Sequence, residues 1–251
     1  MKVESSSYSH KEIEIIDKLT EVNRVLKKNG VSTDVDSTDL LSEVTALRIY
    51  NKITNSNKVL SDLKDRYIMV LWFKELGYKD PLAMAIKCWN DPNEMRNYQP
   101  SPGSAILSMF LSRSEVDLHR ITARPGSDEI VESTLDCYKQ QMPWVDARLI
   151  HMQKGKKISS QYKYETVPKY SKYHFDDAQE ETEILASMGI ICILFPQPWN
   201  EGYVSKQDNL LTINRAQSKG LANLGVNSSD FKSQPKMVQA YFVLADHILG
   251  R

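Results

Sequence analysis

The sequence predicts a mainly α, multi-helix protein, and three observations support that class. Apolar residues recur at helical spacing through most of the chain. Capping residues, glycines and prolines divide this pattern into successive segments. The alternation that is typical of a strand is confined to residues 158–166. We therefore expect packed helices, as one body or two lobes, with a small β-hairpin or an extended arm around residues 158–173.

The first hundred residues are predicted to form four helices. The first begins at a capping box on Ser9 and ends near Gly30, where a C-terminal cap belongs. Residues 31–36 are predicted to be a break without regular structure. The remaining helices are expected over about 37–53, 60–77 and 81–90.

Residues 97–104, with two prolines and a glycine, form the clearest break in the chain. This break divides the predicted fold into an N-terminal helical lobe, residues 1–100, and a C-terminal helical lobe, residues 101–251. The apolar run at 190–195 is either a buried strand or the end of the helix before it. Further helices are expected over about 105–118, 127–142, 176–188, 205–218 and 235–250.

The bulk composition excludes several classes of protein. Lysine and arginine total 32, as do aspartate and glutamate, so attraction to a charged partner must come from a local patch. The cysteines Cys88, Cys137 and Cys192 are far apart in apolar surroundings, which indicates buried, reduced thiols. The N-terminus lacks the apolar region of a signal peptide, and no apolar run could span a membrane. We therefore expect a cytoplasmic protein in a reducing compartment.

The sequence contains no recognisable catalytic or metal-binding motif. The acidic residues Asp34, Asp36 and Asp39 resemble the start of a calcium loop. The glycine and the glutamate that such a loop requires are missing, so we expect a solvated helix N-terminus there. No metal and no cofactor is predicted, and the chain is more readily interpreted as a binding protein than as an enzyme.

The segment 153–175 is the strongest indication of function in the sequence, because lysines and tyrosines are interleaved in it. Lysines neutralise phosphates, and aromatic rings stack on unpaired bases. Arginines in the preceding helix and turn could extend the patch. The predicted nucleic-acid-binding residues are Lys154, Lys156, Lys157, Tyr162, Lys163, Tyr164, Lys169, Tyr170, Lys172, Tyr173, Arg113, Arg120 and Arg124.

These observations predict a non-enzymatic protein that binds RNA or single-stranded nucleic acid, resembles a nucleoprotein subunit and self-associates. Two alternatives stay open. In the first, an adaptor or structural protein uses the basic arm to dock an acidic protein partner. In the second, a small hydrolase or transferase uses His174 and Asp177 for acid–base chemistry.

Overall fold

The computed structural model describes residues 10–153, 160–205, 207–214 and 220–251, and its centre is a parallel β-sheet. Within these residues the sheet has six strands in the order β3-β2-β1-β4-β5-β6, with every neighbouring pair parallel. The strands are β1 Val31–Thr33, β2 Leu118–Thr122, β3 Ile150–Met152, β4 Tyr173–Asp176, β5 Ile191–Leu194 and β6 Leu210–Thr212. The fold is therefore α/β, and the predicted mainly α class is wrong.

Helices connect these strands, and short 3-10 turns lie between them. The helices of the described residues are α1 His10–Asn29, α2 Ser42–Thr54, α3 Ile68–Glu75, α4 Pro81–Trp89, α5 Pro92–Met95, α6 Ser104–Arg113, α7 Asp128–Gln141, α8 Ser160–Tyr170, α9 Gln179–Ser187, α10 Ser228–Lys232 and α11 Lys236–Leu249. The predictions for α1, α4, α7 and α11 are confirmed to within a few residues.

Helices cover both faces of the sheet, as a parallel sheet requires. The strand β5 shows how its residues divide between the faces. Ile191 and Ile193 join the core formed with α1, α6 and α11, whereas Cys192 and Leu194 face the core formed with α8 and α9. Side chains alternate between the two faces along a strand, and helices cover both faces of β5. All four of its residues are therefore apolar and buried.

A helical insertion lies between β1 and β2. Its helices α2, α3 and α4 have a hydrophobic cluster of their own, in which Tyr50, Trp72 and Phe73 are buried. Trp199, from the loop after β5, packs against the same cluster. The insertion therefore lies near the edge of the sheet where β1, β4 and β5 end.

Several segments have a different secondary structure from the one predicted. Residues 160–170 are helical rather than extended, because Lys163, Thr166 and Val167 at helical spacing face the sheet. Residues 210–212 are strand rather than helix. The open choice at residues 190–195 is resolved as strand β5. Strand β1 occupies part of the predicted break at 31–36.

The two-lobe division near residue 100 stays a prediction, although the sheet takes β1 from before that position and its other strands from after it. Cys88, Cys137 and Cys192 are buried and free of disulfides, as predicted. In the part of the chain that the structure describes, no helix has the length and apolar composition needed to cross a bilayer. The compartment stays a prediction.

Candidate functional site

Two strand ends bring three carboxyl groups together at one edge of the sheet. Asp34 follows β1 directly, and Asp176 and Asp177 stand at the end of β4, which is hydrogen-bonded to β1. One carboxylate oxygen from each lies within 4.8 Å of the others, and all three residues are buried. The carboxyl ends of parallel strands are where α/β sheets bind ligands.

Lys163 neutralises part of this cluster. It is the buried cation of α8, and its Nζ lies 2.9 Å from Asp176 Oδ2 and 3.0 Å from Asp34 Oδ1. The approach to Asp34 makes an ion pair but leaves Oδ1 without a hydrogen bond. Burial alone would lower the pKa of Lys163, but Asp176 and Asp34 outweigh burial and raise that pKa, so the lysine is charged.

The three carboxyl groups differ in their pKa values because their surroundings differ. Burial raises the pKa of Asp34 well above its ordinary range, with Lys163 opposing and Asp176 adding to the shift. Burial and the neighbouring charge of Asp176 raise the pKa of Asp177 to about 7. Burial also opposes ionisation of Asp176, but Lys163 and His174 lower its pKa below the ordinary range. The cluster therefore resists the ionisation of all three carboxyl groups at once.

His174 supports the cluster from within the sheet. Its Nε2 lies 3.2 Å from Asp176 Oδ2, and its Nδ1 lies 2.8 Å from Ser32 Oγ. Since an ionised carboxylate only accepts hydrogen bonds, Nε2 carries the proton and Nδ1 accepts from the serine hydroxyl. Burial lowers the pKa of His174, so the ring is neutral. Of the predicted pair His174 and Asp177, the histidine positions Asp176, and the aspartate belongs to the cluster itself.

A second acid–base pair lies beside the cluster. Arg124 Nε donates to Asp36 Oδ2 over 2.7 Å, and its Nη2 donates to Asp36 Oδ1. Thr122, the last residue of β2, also donates to Asp36 Oδ2 over 3.3 Å. This bidentate pair fixes the orientation of the Asp36 carboxylate. Asp36, two residues after Asp34 in the same loop, is therefore held in a fixed orientation beside the cluster.

The cluster opens into a cavity of about 530 Å³ between the sheet edge and the helical insertion. This volume is usual for small-molecule sites. Asp34, Asp36, Lys163, Arg124 and Asp177 line one side of it. Residues of α3 and α4 line the other side. The arrangement is a ligand cavity with acidic and basic groups concentrated at its base.

The donor set fits a divalent cation. Asp34, Asp176 and Asp177 contribute three carboxylates against the single ammonium of Lys163, and the nearby cations Arg66 and Arg124 have carboxylate partners of their own, Glu181 and Asp36. Carboxylate oxygens are the ligands that Mg²⁺, Mn²⁺ and Ca²⁺ prefer. Burial, with the charge of Asp176 adding to it, raises the pKa values of Asp34 and Asp177, and a cation held by these oxygens would favour their ionised forms.

The structure disperses the residues of the predicted nucleic-acid site. Lys163 is buried in the acidic cluster, and Tyr173 is buried in β4. Arg120 and Arg124 are buried in ion pairs with Asp39 and Asp36. Tyr162 and Tyr164 are half-buried against the core beneath α8. Lys169, Tyr170, Lys172 and Arg113 are exposed, whereas Lys154, Lys156 and Lys157 lie outside the described residues.

Asp34, Asp36 and Asp176 were not predicted from the sequence to lie in one site. A usable signal was present, because each acid follows a short run of β-forming residues, Val31 to Thr33 in one case and Tyr173 to Phe175 in the other. Strands of that length, buried on both faces, show no alternation. The acids after them were therefore interpreted as helix N-termini.

Comparisons with known proteins give structural likenesses only. No protein-family model and no curated protein matches the chain. Among solved structures, CbbY from Rhodobacter sphaeroides in complex with phosphate is 18% identical, with 72% of this chain and 92% of that chain covered and a TM-score of 0.46. A haloacid dehalogenase-like hydrolase from Streptococcus pneumoniae is 13% identical, with 73% and 93% covered and a TM-score of 0.49.

A third similar structure is the HAD-hydrolase YfnB from Bacillus subtilis bound to magnesium. It is 17% identical, with 71% of this chain and 91% of that chain covered and a TM-score of 0.45. At such identities and TM-scores the likeness carries no functional argument.

The predicted partners require correction. The nucleic-acid partner and the nucleoprotein character are wrong, because Lys163, Tyr173, Arg120 and Arg124 are buried and paired inside the fold rather than displayed in one strip. The expectation that the chain binds no metal is also wrong, because three buried carboxylates converge in a geometry suited to a cation. Self-association stays a prediction.

Proposed function

We propose that this chain is a phosphoryl-transfer enzyme that hydrolyses phosphate monoesters through a covalent intermediate on Asp34. The observation that carries the proposal is the convergence of Asp34, Asp176 and Asp177 with Lys163 at the base of a ligand cavity. A carboxylate is a known nucleophile toward phosphorus. Catalysis of phosphoryl transfer consists mainly of positioning and electrostatic stabilisation, which a cluster of this kind supplies.

Hydrogen bonding distinguishes the nucleophile from the other two acids. Asp177 accepts from Thr38 Oγ1 and Trp199 Nε1, and Asp176 does not line the cavity. Asp34 lines the cavity, and its Oδ1 accepts no hydrogen bond. Apart from its ion pair with Lys163, this oxygen has no donor hydrogen-bonded to its lone pairs, so it can approach a phosphorus atom. Asp34 is therefore the carboxylate best suited to attack the phosphorus atom.

The proposed reaction has two displacements. In the first, an Asp34 oxygen forms a bond to phosphorus, the bond from phosphorus to the ester oxygen breaks, and the departing alcohol takes up a proton from solvent. In the second, water adds to phosphorus, its proton passes to Asp36, and the bond from Asp34 to phosphorus breaks to release orthophosphate. Burial raises the pKa of Asp34, Lys163 opposes that shift, and a cation bound by the carboxylates would favour the ionised, nucleophilic form further. A divalent cation, when bound by the three carboxylates, would neutralise charge on the phosphoryl oxygens.

The test is turnover of p-nitrophenyl phosphate in the presence of Mg²⁺, combined with trapping of the intermediate. Hydroxylamine converts an aspartyl phosphate into a hydroxamate, and mass spectrometry should locate that hydroxamate at Asp34. Asp34→Asn should lower kcat by about a thousandfold or more, because the amide is a poor nucleophile. The matched control Asp128→Asn alters an exposed acid at the start of α7 and should retain turnover. Unchanged turnover in Asp34→Asn would refute the mechanism.

A further inference from the structure

The side of the cavity that faces the acidic cluster has a different chemical character. Met69 and Val70 of α3 and Leu82, Ile86 and Trp89 of α4 line it. These short helices are largely apolar, and Met69, Val70 and Trp89 also pack against the insertion's own core, so the wall is continuous with that core. The part of the substrate that projects away from the phosphate therefore meets an apolar wall.

Polar groups on this wall are already engaged. Arg66 forms an ion pair with Glu181, and Asn90 Nδ2 donates to the carbonyl oxygen of Ile86 over 3.3 Å. Tyr67 contributes a hydroxyl at the exposed mouth of the cavity. A hydroxyl group set against Met69, Val70, Leu82 or Ile86 would lose its water, and these side chains offer it no hydrogen-bond partner. Burial of an unpaired hydroxyl is unfavourable.

We propose that the substrate is a phosphate monoester of an apolar alcohol, with an alkyl or aryl group seated against α3 and α4, rather than a phosphorylated sugar or polyol. This inference rests on the proposed function and adds the substrate class. Lys163, together with a divalent cation held by the carboxylates, would bind the phosphate end, and the apolar wall selects the other end. An apolar wall favours each added methylene, whereas a wall built for a polyol would present free donors and acceptors.

The experiment compares n-hexyl phosphate with sorbitol 6-phosphate in the presence of Mg²⁺. Both esters join phosphate to a primary alcohol on a carbon chain of the same length, so the hydroxyl groups of sorbitol are the main difference. The kcat/KM for hexyl phosphate should exceed that for sorbitol 6-phosphate by about a hundredfold or more. An equal or higher value for sorbitol 6-phosphate would overturn the substrate class and leave the proposed function intact.

Failure of the proposed function itself would have a different signature. Neither ester, nor p-nitrophenyl phosphate, nor acetyl phosphate would then be hydrolysed. That result would overturn the substrate class together with the function. Hydrolysis of p-nitrophenyl phosphate with no preference between the two six-carbon esters would overturn only the inference about the wall.

Two exposed leucines of the insertion make a matched pair of variants. Leu82 lines the cavity and is 56% exposed, whereas Leu71 of α3 is 49% exposed and does not line it. Leu82→Asn should lower kcat/KM for hexyl phosphate about tenfold, mainly through KM, and leave that for sorbitol 6-phosphate unchanged or higher. Leu71→Asn should alter neither. Equal effects of the two changes would contradict a role for the wall.

Binding gives a readout that is independent of turnover. Trp89 lines the wall, so its fluorescence should respond when n-hexylphosphonate, which cannot be hydrolysed, enters the cavity. We expect n-hexylphosphonate to bind at least about tenfold more tightly than methylphosphonate, because its chain is removed from water. Because Trp199 also lines the cavity next to Asp177, Trp89→Phe should remove the part of the signal that depends on the hexyl chain and leave the part that both phosphonates produce. Equal affinities for the two phosphonates would oppose the proposal.

Discussion

At the scale of single residues, burial of charge is the dominant feature of this protein. Asp176 is well supported, because it accepts hydrogen bonds from Lys163, His174 and the backbone N–H of Ala178. Asp34 differs, since its Oδ1 accepts no hydrogen bond. The carboxyl group of Asp176 thus stabilises the fold, whereas that of Asp34 stays available for reaction.

This contrast predicts opposite effects of two identical substitutions on stability in metal-free buffer. Asp176→Asn should lower the free energy of unfolding by about 3–5 kcal/mol, because it leaves Lys163 with a weaker partner in a buried site. Asp34→Asn should leave that free energy unchanged or raise it, because it replaces a carboxyl group whose ionisation is opposed by burial and by Asp176. Urea unfolding followed by circular dichroism measures both. A larger loss in Asp34→Asn would contradict this account of the cluster.

Glu43 of α2 is a second buried acid, and it predicts a dependence on pH. Burial raises its pKa, and its Oε2 accepts no hydrogen bond. A carboxyl group with a raised folded-state pKa stabilises the fold below its unfolded pKa and loses that contribution as pH rises through the folded value. Glu43→Gln should therefore become increasingly more stable than the parent protein as pH rises above the ordinary glutamate pKa of 4.5.

Unfolding free energies at several pH values measure this effect. Glu129→Gln, at an exposed acid in the first turn of α7, serves as the control for replacing a surface carboxylate. A Glu43→Gln gain that is the same at pH 4.5 and at pH 7 would show that ionisation of Glu43 is not its cause.

At the scale of elements, the positions of the site residues depend on how closely the helices approach the strands. Gly30 joins α1 to β1 with a φ of 74°, and a Cβ at this position would overlap the carbonyl oxygen of Tyr170 at the end of α8. This close approach brings α8 alongside β1. Lys163 of α8 is thereby placed within reach of Asp34, which follows β1.

Gly30→Ala should therefore destabilise the protein more than a left-handed backbone alone would explain. Gly77, after α3, has a similar φ of 77° but nothing within 4 Å of its would-be Cβ. Gly77→Ala should cost about 1–2 kcal/mol of unfolding free energy, which is the usual cost of that backbone conformation. Gly30→Ala should cost clearly more, because the backbone must also move. Comparable losses in thermal unfolding would show that α8 adjusts freely.

The elements also show how far the sequence could predict this fold. Long amphipathic helices such as α1 and α11 have a periodicity that one sequence reveals. Strand β1 has three residues and β4 has four, buried on both faces, so neither has enough residues for a pattern. Residues 160–166 alternate in polarity by coincidence. Helical contacts of Lys163 and Val167 with the sheet decide their structure, and those contacts are not visible in sequence.

The candidate site was harder to predict than the fold for the same reason. Asp177 was singled out as a candidate, but Asp34 and Asp36 were interpreted as a helix N-terminus. Their convergence depends on β1 lying between β2 and β4. Strand order is a property of the whole sheet, so residue types and local spacing alone do not specify which acids meet.

At the scale of the whole molecule, a formal net charge of zero conceals a strong local charge. The edge of the sheet concentrates carboxylates that the protein compensates only in part, whereas the insertion facing them is apolar. Neutrality overall and acidity at one site are compatible because lysines and arginines elsewhere pair with other acids. The folded state should therefore gain stability from a cation that binds this site.

Mg²⁺ should raise the melting temperature in a saturable manner. At a concentration of about a hundred times the Kd, the expected gain is about 2.7 kcal/mol of unfolding free energy. Differential scanning fluorimetry with Mg²⁺ and with EDTA measures the shift. Asp177→Asn should lose most of the gain, and the exposed Asp128→Asn should retain it. An equal shift in both variants would assign the effect to ionic strength.

The parallel order of the sheet has a further consequence, for the route by which the chain reaches its native state. Ser32 and His174 are in contact although 142 positions separate them, and Asp36 reaches Thr122 across 86. Chains rich in such distant pairings fold slowly, because long loops must close before these contacts can form. No partly assembled intermediate with β1 unpaired would hold the carboxylates together. Enzymatic competence should therefore arise in the last cooperative step, so that recovered activity reports complete folding.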